Sequence, residues 1–255
     1  MISVLAKVLE KFTIEIIPNL PIFVRTPLYL NILKLRKVKD RLRFVATNKN
    51  PSFEERLDYA LDSRANLNNS GEKLHDFNSN VVLEEIKEGP VKIYKFIPPN
   101  SSKDKYGIYF HGGGYFAGSI TSHKNLISQI SNDSNLIIYF FEYRLSPEYN
   151  FPSAHEDAKL AVDFINTLHP DHQSIWIGES AGGGLATGLV VDKEYLEKPD
   201  NLILLSPWLD LSDGFEDKKF FKNSDVTIII EGMFEVGGFY AGDYGAKNPI
   251  LSPVY

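Results

Sequence analysis

Apolar positions divide this chain into two parts that differ in spacing. Across residues 1–75 they recur at three- and four-residue intervals, as on one face of a helix, with breaks at Pro18, Pro21 and Pro27. Beyond that segment, short apolar runs alternate with further stretches of helical spacing. We therefore predict a helical N-terminal segment over residues 1–75, which would cap a core region over residues 76–255.

The apolar runs of the second part predict strands. Residues 91–98 alternate apolar and polar side chains, which indicates an antiparallel or edge strand. Residues 106–110 and 136–141 are continuous apolar runs, which are typical of strands covered on both faces, and residues 202–205 predict a further apolar strand. A further run, residues 174–177, leads through a glycine-rich turn into a helical stretch.

Helical spacing fills the gaps between these strands. One helix is predicted around residues 123–130, and another opens at Ser153 with a capping box to Glu156 and stops before a proline. In the N-terminal segment, Ser52 and Glu55 predict a second capping box. Strands that alternate with helices predict an α/β fold, with a mostly parallel sheet, right-handed crossovers and helices on both faces.

Two stretches allow more than one interpretation. Residues 33–44 form a basic helix with an apolar stripe, which either packs one face on the domain or contacts a membrane surface or an anionic partner. Residues 227–230 are β-branched, which favours a strand, but their position after a turn-rich stretch suits a helix beside the site.

Composition narrows the class of protein. The 255 residues suffice for one large α/β domain, and a net charge of −6 argues against a nucleic-acid-binding surface. The absence of cysteine excludes disulfides, thiolate metal sites and a cysteine nucleophile. No apolar run is long enough to span a bilayer, and charges interrupt the N-terminus too early for a secretory signal. We therefore expect a cytoplasmic protein that does not contact the membrane.

The candidate chemistry begins where the run at residues 174–177 ends, in Gly178-Glu179-Ser180-Ala181-Gly182. A serine on a strand-to-helix turn between small residues is a nucleophile elbow, because the strained turn lifts its hydroxyl clear of the sheet. The following helix also directs its N-terminal N–H groups toward the site. Ordinary glycine-rich loops share this short pattern, but the strand before it and the helix after it favour the elbow.

A second glycine motif, His111-Gly112-Gly113-Gly114, follows the predicted strand at residues 106–110. Consecutive glycines let several backbone N–H groups face one point, which is the arrangement that a developing oxyanion requires. The alternatives are a flexible turn and a phosphate-binding loop. A phosphate loop needs a lysine and a hydroxyl residue after its last glycine, and Tyr115-Phe116 supplies neither.

Four motifs follow one another along the second part of the chain: His111-Gly112-Gly113-Gly114, Tyr143-Arg144-Leu145-Ser146-Pro147-Glu148, Phe151-Pro152-Ser153-Ala154-His155-Glu156-Asp157 and Gly178-Glu179-Ser180-Ala181-Gly182-Gly183. In this order they resemble the hormone-sensitive lipase family of α/β-hydrolases. The resemblance runs from about Val91 to the last residue, and two later segments, 205–210 and 248–253, are also similar to that family.

This resemblance implies a carboxylesterase or lipase-like hydrolase that acts on short- to medium-chain acyl esters, with an α/β-hydrolase fold and a helical N-terminal cap. It implies no metal, no organic cofactor and a small-molecule ester as the partner. Asp210 matches a non-catalytic segment of the family, and Tyr143, Arg144 and Glu148 match a structural one. The implied site residues are Ser180 as nucleophile, the N–H groups of Gly113, Gly114 and Ala181 as the oxyanion hole, and His111 and Gly112 as supports of the oxyanion loop.

The expected acid and base of a catalytic triad are missing from this pattern. In α/β-hydrolases the chain order is Ser, then Asp or Glu, then His. Here every histidine precedes Ser180, so none fills the family position. Three explanations stay open: a fragment of a longer product, a naturally shortened inactive descendant, or substitution by another histidine. The histidines are His75, His111, His123, His155, His169 and His172.

The same comparison with the family predicts that the last strands of the sheet are missing. The run at residues 202–205 would then form an unpaired apolar edge, so we predict poor solubility or self-association. The alternative function is a catalytically inactive hydrolase-fold protein with a retained binding pocket.

Overall fold

The structure is a computed structural model that describes residues 51–74, 76–87, 90–212 and 230–255. The chain divides into two compact units, and the larger one comprises residues 52–213 and 236–255. The smaller unit, residues 1–51 and 214–235, lies almost entirely outside the described residues, as do the predicted basic helix at 33–44 and residues 227–229. The predicted division between residues 75 and 76 stays a prediction.

The described residues contain six strands and five α-helices, which alternate through the middle of the chain. In chain order they are α1 (Phe53–Leu74), β1 (Val82–Ile86), β2 (Lys92–Ile97), β3 (Lys105–Phe110), α2 (Ile120–Ser134), β4 (Ile137–Glu142), α3 (Ser153–Thr167), β5 (Gln173–Glu179), α4 (Ser180–Val191), β6 (Asn201–Leu205) and α5 (Ile230–Ala241), followed by a 3₁₀ turn at Gly242–Tyr244.

The strands form one sheet in the order β1-β2-β4-β3-β5-β6. β1, β2 and β4 pair antiparallel, whereas β4, β3, β5 and β6 are parallel. β3 and β5 are neighbours, and Phe110 at the end of β3 is in register with Gly178 near the end of β5. The loops that leave these two strands therefore begin side by side.

The order in which the chain visits the parallel strands places helices on both faces of the sheet. The chain steps from β3 outward to β4 through α2, then back across β3 to β5 through α3 and onward to β6 through α4. Steps in opposite directions put α2 on one face and α3 with α4 on the other. Helix α1 packs against α2, and α3 packs against α4. The α/β architecture predicted from the sequence is confirmed.

Apolar side chains pack on both faces of the inner parallel strands β3, β4 and β5. Tyr109, Phe140 and Ile127 belong to a buried cluster on the α2 side. On the other face Phe110 contacts Phe141 edge-on at 5.2 Å and Trp176 at 5.3 Å between ring centroids. Continuous apolar runs produce such two-sided burial, so the strands at 106–110, 136–141 and 174–177 are confirmed.

Of the two capping boxes predicted from the sequence, the structure contains the one at the start of α1 and lacks the one at the start of α3. The capping box of α1 forms as predicted, since Ser52 N–H donates to Glu55 (2.8 Å) and Glu55 N–H donates to Ser52 Oγ (3.2 Å). The box predicted between Ser153 and Glu156 is wrong. Helix α3 is capped at Pro152 without a side-chain hydrogen bond, and Glu156 instead accepts from the Arg144 guanidinium at 2.9 Å.

Strand β1 was not predicted from the sequence. Its residues Val82–Ile86 carry two glutamates and are mostly exposed, so the apolar pattern that reveals the inner strands is absent. In the part of the chain that the structure describes, no helix has the length and apolar character needed to cross a membrane.

Candidate active site

Ser180 lies at the junction between β5 and α4. Its φ is +49°, in the left-handed region that non-glycine residues seldom adopt. The Ser180 carbonyl accepts a hydrogen bond from the Trp208 N–H at 2.8 Å, which ties the turn to the segment after β6. Among the described residues its hydroxyl has no hydrogen-bond partner, so the side chain is free to meet a ligand.

Two glycines of this turn are required by close packing. A Cβ on Gly178 would lie 2.7 Å from the Gly183 Cα, inside the elbow itself. A Cβ on Gly182 would collide with the carbonyl oxygens of Phe110 and His111. The helix after Ser180 can therefore approach the end of β3 only because these positions have no side chain.

The triple-glycine loop lies directly beside Ser180. A Cβ built on Gly112 would be 3.2 Å from the Ser180 Cβ, and Gly113 and Gly114 have φ values of +116° and +64°. No hydrogen bond among the described residues uses the N–H groups of Gly113, Gly114 or Ala181. The structure thus brings together the residues that the sequence assigned to a nucleophile and an oxyanion hole.

His111 and Gly112 make contacts of the kind expected for supports of this loop. His111 Nδ1 donates to the Gly112 carbonyl at 2.8 Å, which fixes the tautomer of the buried ring. The ring stacks on Tyr143 at 4.0 Å, and the Tyr143 hydroxyl donates to the His111 carbonyl at 2.8 Å. Burial lowers the pKa of His111 to about 3, so the imidazole is neutral.

Two further residues contact the loop and were not singled out from the sequence. Glu179 Oε1 accepts from the Gly112 N–H at 3.1 Å and from His123 Nε2 at 2.6 Å. Glu179 precedes the candidate nucleophile, so a charged residue inside the elbow was an available signal. His123 lies 56 residues earlier on α2, and nothing in the linear sequence points to this contact.

Arg64 on α1 also reaches the neighbourhood of the loop. Its guanidinium donates to the carbonyl oxygens of Phe116 (2.8 Å) and Ser146 (2.9 Å) and to both carboxylate oxygens of Glu148 (2.7 Å each). The Phe116 ring in turn packs against Gly114, where a Cβ would lie 2.5 Å from a ring carbon. One side chain thereby connects α1, the glycine loop and the segment after β4.

The other sequence candidates have partners of their own. The carboxylate of Asp210 accepts from the Ser212 N–H at 2.8 Å, and its carbonyl accepts from the Trp208 indole at 2.7 Å. His75 lies outside the described residues. None of the remaining five histidines is hydrogen-bonded to Ser180. Within the described ranges, no group of three or more histidine, aspartate or glutamate side chains is arranged to hold a metal ion.

A serine elbow after one parallel strand, facing a glycine loop after its neighbour, defines the α/β-hydrolase class of protein. The chain matches the sequence model of the alpha/beta hydrolase fold over residues 107–255. It belongs to the α/β-hydrolase family, and within it to the hormone-sensitive lipase family that the sequence motifs resemble.

Solved structures of that family are similar to this chain. A hormone-sensitive lipase from a metagenome library superposes with a TM-score of 0.73 at 29% identity, over 89% of this chain and 72% of its own. A hormone-sensitive lipase homologue from a metagenome library gives a TM-score of 0.71 at 27% identity, with the same coverage of 89% and 72%.

Curated relatives are also esterases and hydrolases. The ethyl acetate hydrolase of Pseudomonas putida is 33% identical over 48% of this chain, and an esterase of Acinetobacter venetianus is 27% identical over 72% of it. The chain spans 42% of the length of the first protein and 61% of the second.

Proposed function

We propose that this chain carries the nucleophile and the oxyanion hole of a serine carboxylesterase that acts on short- to medium-chain acyl esters. Ser180 Oγ attacks the ester carbonyl carbon, and the N–H groups of Gly113, Gly114 and Ala181 stabilise the oxygen that becomes negatively charged. The observation that supports this best is the closeness of the glycine loop to Ser180, since a Cβ built on Gly112 would lie 3.2 Å from the Ser180 Cβ.

The reaction proceeds in two acyl-transfer steps. Attack by Ser180 gives a tetrahedral intermediate, which collapses to an acyl-serine as the alcohol leaves with a proton, and water then hydrolyses the acyl-serine. A serine hydroxyl needs a base to accept its proton, and the proposal assigns that role to no described histidine. In studied triads, an enzyme that has lost one member of the triad still accelerates the reaction by about 10³–10⁴-fold over water, through substrate binding and the oxyanion hole alone.

A fluorophosphonate probe tests the nucleophile directly. The native chain should be labelled at residue 180, and Ser180→Ala should abolish the label. Ser206→Ala is the matched control, because Ser206 also follows a parallel strand and has a φ of +46°, but its strand β6 is not a neighbour of β3, which leads into the glycine loop. Labelling that persists in Ser180→Ala would contradict the assignment.

A series of p-nitrophenyl esters tests the substrate class. Turnover should be greatest for acetate to octanoate and should fall for longer acyl chains. Turnover that rises steadily with chain length would contradict the assigned substrate class.

The second candidate function is an inactive hydrolase-fold protein with a retained pocket. It is favoured by one observation, namely that the described histidines all lack a hydrogen bond to Ser180. For this function the native chain should bind a non-hydrolysable ester analogue, seen as ligand-induced amide shifts in NMR spectra, without fluorophosphonate labelling.

A cytoplasmic location is a further part of the proposal.

A further inference from the structure

The Glu179 carboxylate joins the elbow to the glycine loop. It belongs to the residue before Ser180, and its Oε1 accepts from the N–H of Gly112 in the facing loop at 3.1 Å. The same oxygen receives His123 Nε2 at 2.6 Å from helix α2. This one oxygen atom, at the end of β5, thus contacts two other elements: the loop after β3 and the first turn of α2.

The hydrogen-bond partners of the Glu179 carboxylate determine its protonation state. Burial by itself would raise the pKa of Glu179, but hydrogen bonds from His123 and Gly112 outweigh it and hold that pKa below its usual value. An ionised carboxylate only accepts hydrogen bonds, so His123 must carry its proton on Nε2. The other nitrogen, Nδ1, lies 2.8 Å from the Ser122 hydroxyl, so the ring has a polar partner at each nitrogen.

The ring of His123 is also held by packing. Its side chain is 6% exposed, and its centroid lies 5.4 Å from that of His111 and 5.9 Å from that of Phe140. A ring fixed in this way gives the carboxylate one orientation. The carboxylate in turn fixes the peptide plane of Gly112, immediately before the N–H groups of Gly113 and Gly114.

We propose that His123 and Glu179 are positioning residues for the oxyanion hole, because the His123 N–H orients the Glu179 carboxylate that holds the Gly112 peptide plane. Neither side chain is assigned a contact with the substrate. The inference rests on the proposed function of Ser180 and the glycine loop, and it names the residues that give the loop its geometry.

His123→Phe tests this role because it keeps an aromatic ring and removes the N–H donor. The maximal inactivation rate by a fluorophosphonate should fall by up to about 10²-fold, the loss associated with a small misplacement of catalytic groups. The concentration for half-maximal inactivation should stay near the native value, since the proposal assigns His123 no contact with the probe. His123→Gln restores an N–H donor of similar reach and should recover most of the rate.

His169→Phe is the matched control. Like His123, His169 packs against an aromatic ring, that of Tyr106 at 4.4 Å, and makes one short hydrogen bond, to the Tyr139 hydroxyl at 2.6 Å. It lies at the other end of the strands from Ser180, near the residues where β3 and β4 begin. Its substitution should lower the melting temperature and leave the inactivation rate unchanged. A native inactivation rate in His123→Phe would overturn the proposal.

A second measurement keeps this inference separate from the proposed function. The amide proton of Gly112 should shift upfield in ¹⁵N-resolved NMR spectra of His123→Phe and return in His123→Gln. If the native chain is not labelled, the nucleophile assignment fails, and the Gly112 shift alone decides the positioning role: an unchanged resonance overturns it. If His123→Phe does not fold, Glu179→Leu removes the acceptor from the other side, with the same expected losses.

Discussion

Backbone strain at a serine does not by itself make a candidate nucleophile in this molecule. Ser180 and Ser206 each follow a parallel strand and have φ values of +49° and +46°. A left-handed conformation costs a non-glycine residue roughly 1–2 kcal/mol. Ser180 follows β5, the neighbour of β3, and lies beside Gly112, whereas Ser206 follows β6, which is separated from β3 by β5. The neighbouring backbone therefore distinguishes the two positions.

Buried histidines give this chain a pH-dependent stability that can be tested at one residue. Burial lowers the pKa of His155 to about 3. In the unfolded chain His155 binds a proton below about pH 6.5, whereas in the folded chain it binds one only below about pH 3. The contribution of His155 to the free energy of unfolding is therefore complete above about pH 6.5. It falls by about 1.4 kcal/mol per pH unit as the pH drops from there toward 3.

His155→Leu should remove that contribution to the pH dependence. Urea unfolding at pH 7, 6 and 5 should show a shallower loss of stability than in the native chain. Phe151→Leu is the control, because Phe151 packs edge-on against His155 at 5.0 Å and has no titratable group. It should lower stability equally at each pH. An identical pH slope in His155→Leu and the native chain would contradict the assignment.

At the scale of elements, helix α1 is attached to the hydrolase core by specific contacts. Gly71 packs so closely on α2 that a Cβ would collide with the Ser122 backbone, and Asn68 accepts from the Ser119 hydroxyl at 2.7 Å. Arg64 adds four hydrogen bonds to the segments after β3 and β4. The hydrogen bonds from Arg64 also lower the pKa of Glu148.

Arg64→Met should therefore loosen the docking of α1. We expect the free energy of unfolding to fall by about 1–3 kcal/mol, since several hydrogen bonds to a charged group are lost. Arg64→Lys keeps the charge without the planar fork and should give an intermediate loss. Urea titration measures these values.

Lys124→Ala is the control for this series. Lys124 pairs with Glu72 on α1 at 3.9 Å in an exposed position, where removal should change stability by less than about 0.5 kcal/mol. If Arg64→Met is as stable as Lys124→Ala, the guanidinium does not anchor the helix.

The sequence predicts elements best where one local signal decides the structure. The inner strands are continuous apolar runs, and Ser52 with Glu55 forms its own cap, so both were predictable. Strand β1 depends on pairing with β2 and has no apolar pattern. The links from Arg64 to Glu148 and from His123 to Glu179 span 84 and 56 residues, and only the folded sheet brings them together.

At the scale of the whole molecule, the sheet has one apolar edge. β6 is the last strand, it pairs only with β5 among the described residues, and Ile203 and Leu205 are 46% and 42% exposed. An exposed edge strand without charges is a template for pairing with another chain. The prediction of poor solubility or self-association from the sequence stays a prediction, and this edge is its structural basis.

A charge on β6 tests that prediction. Sedimentation velocity should show association of the native chain that increases with concentration, and Ile203→Lys should shift the distribution toward monomer. Val82→Lys, at the opposite edge strand where two glutamates already lie, should behave like the native chain. A native chain that sediments as a monomer at every concentration would contradict this expectation.

The close approach at Gly182 has a consequence for engineering this scaffold. Since the helix after the serine touches the carbonyl oxygens at the end of β3, the elbow and the glycine loop cannot be exchanged one at a time. In a chimaera that takes only the elbow or only the glycine loop from another hydrolase, the two segments would no longer pack against each other correctly. Transplanting both together, with glycine retained at position 182, preserves the fit between them.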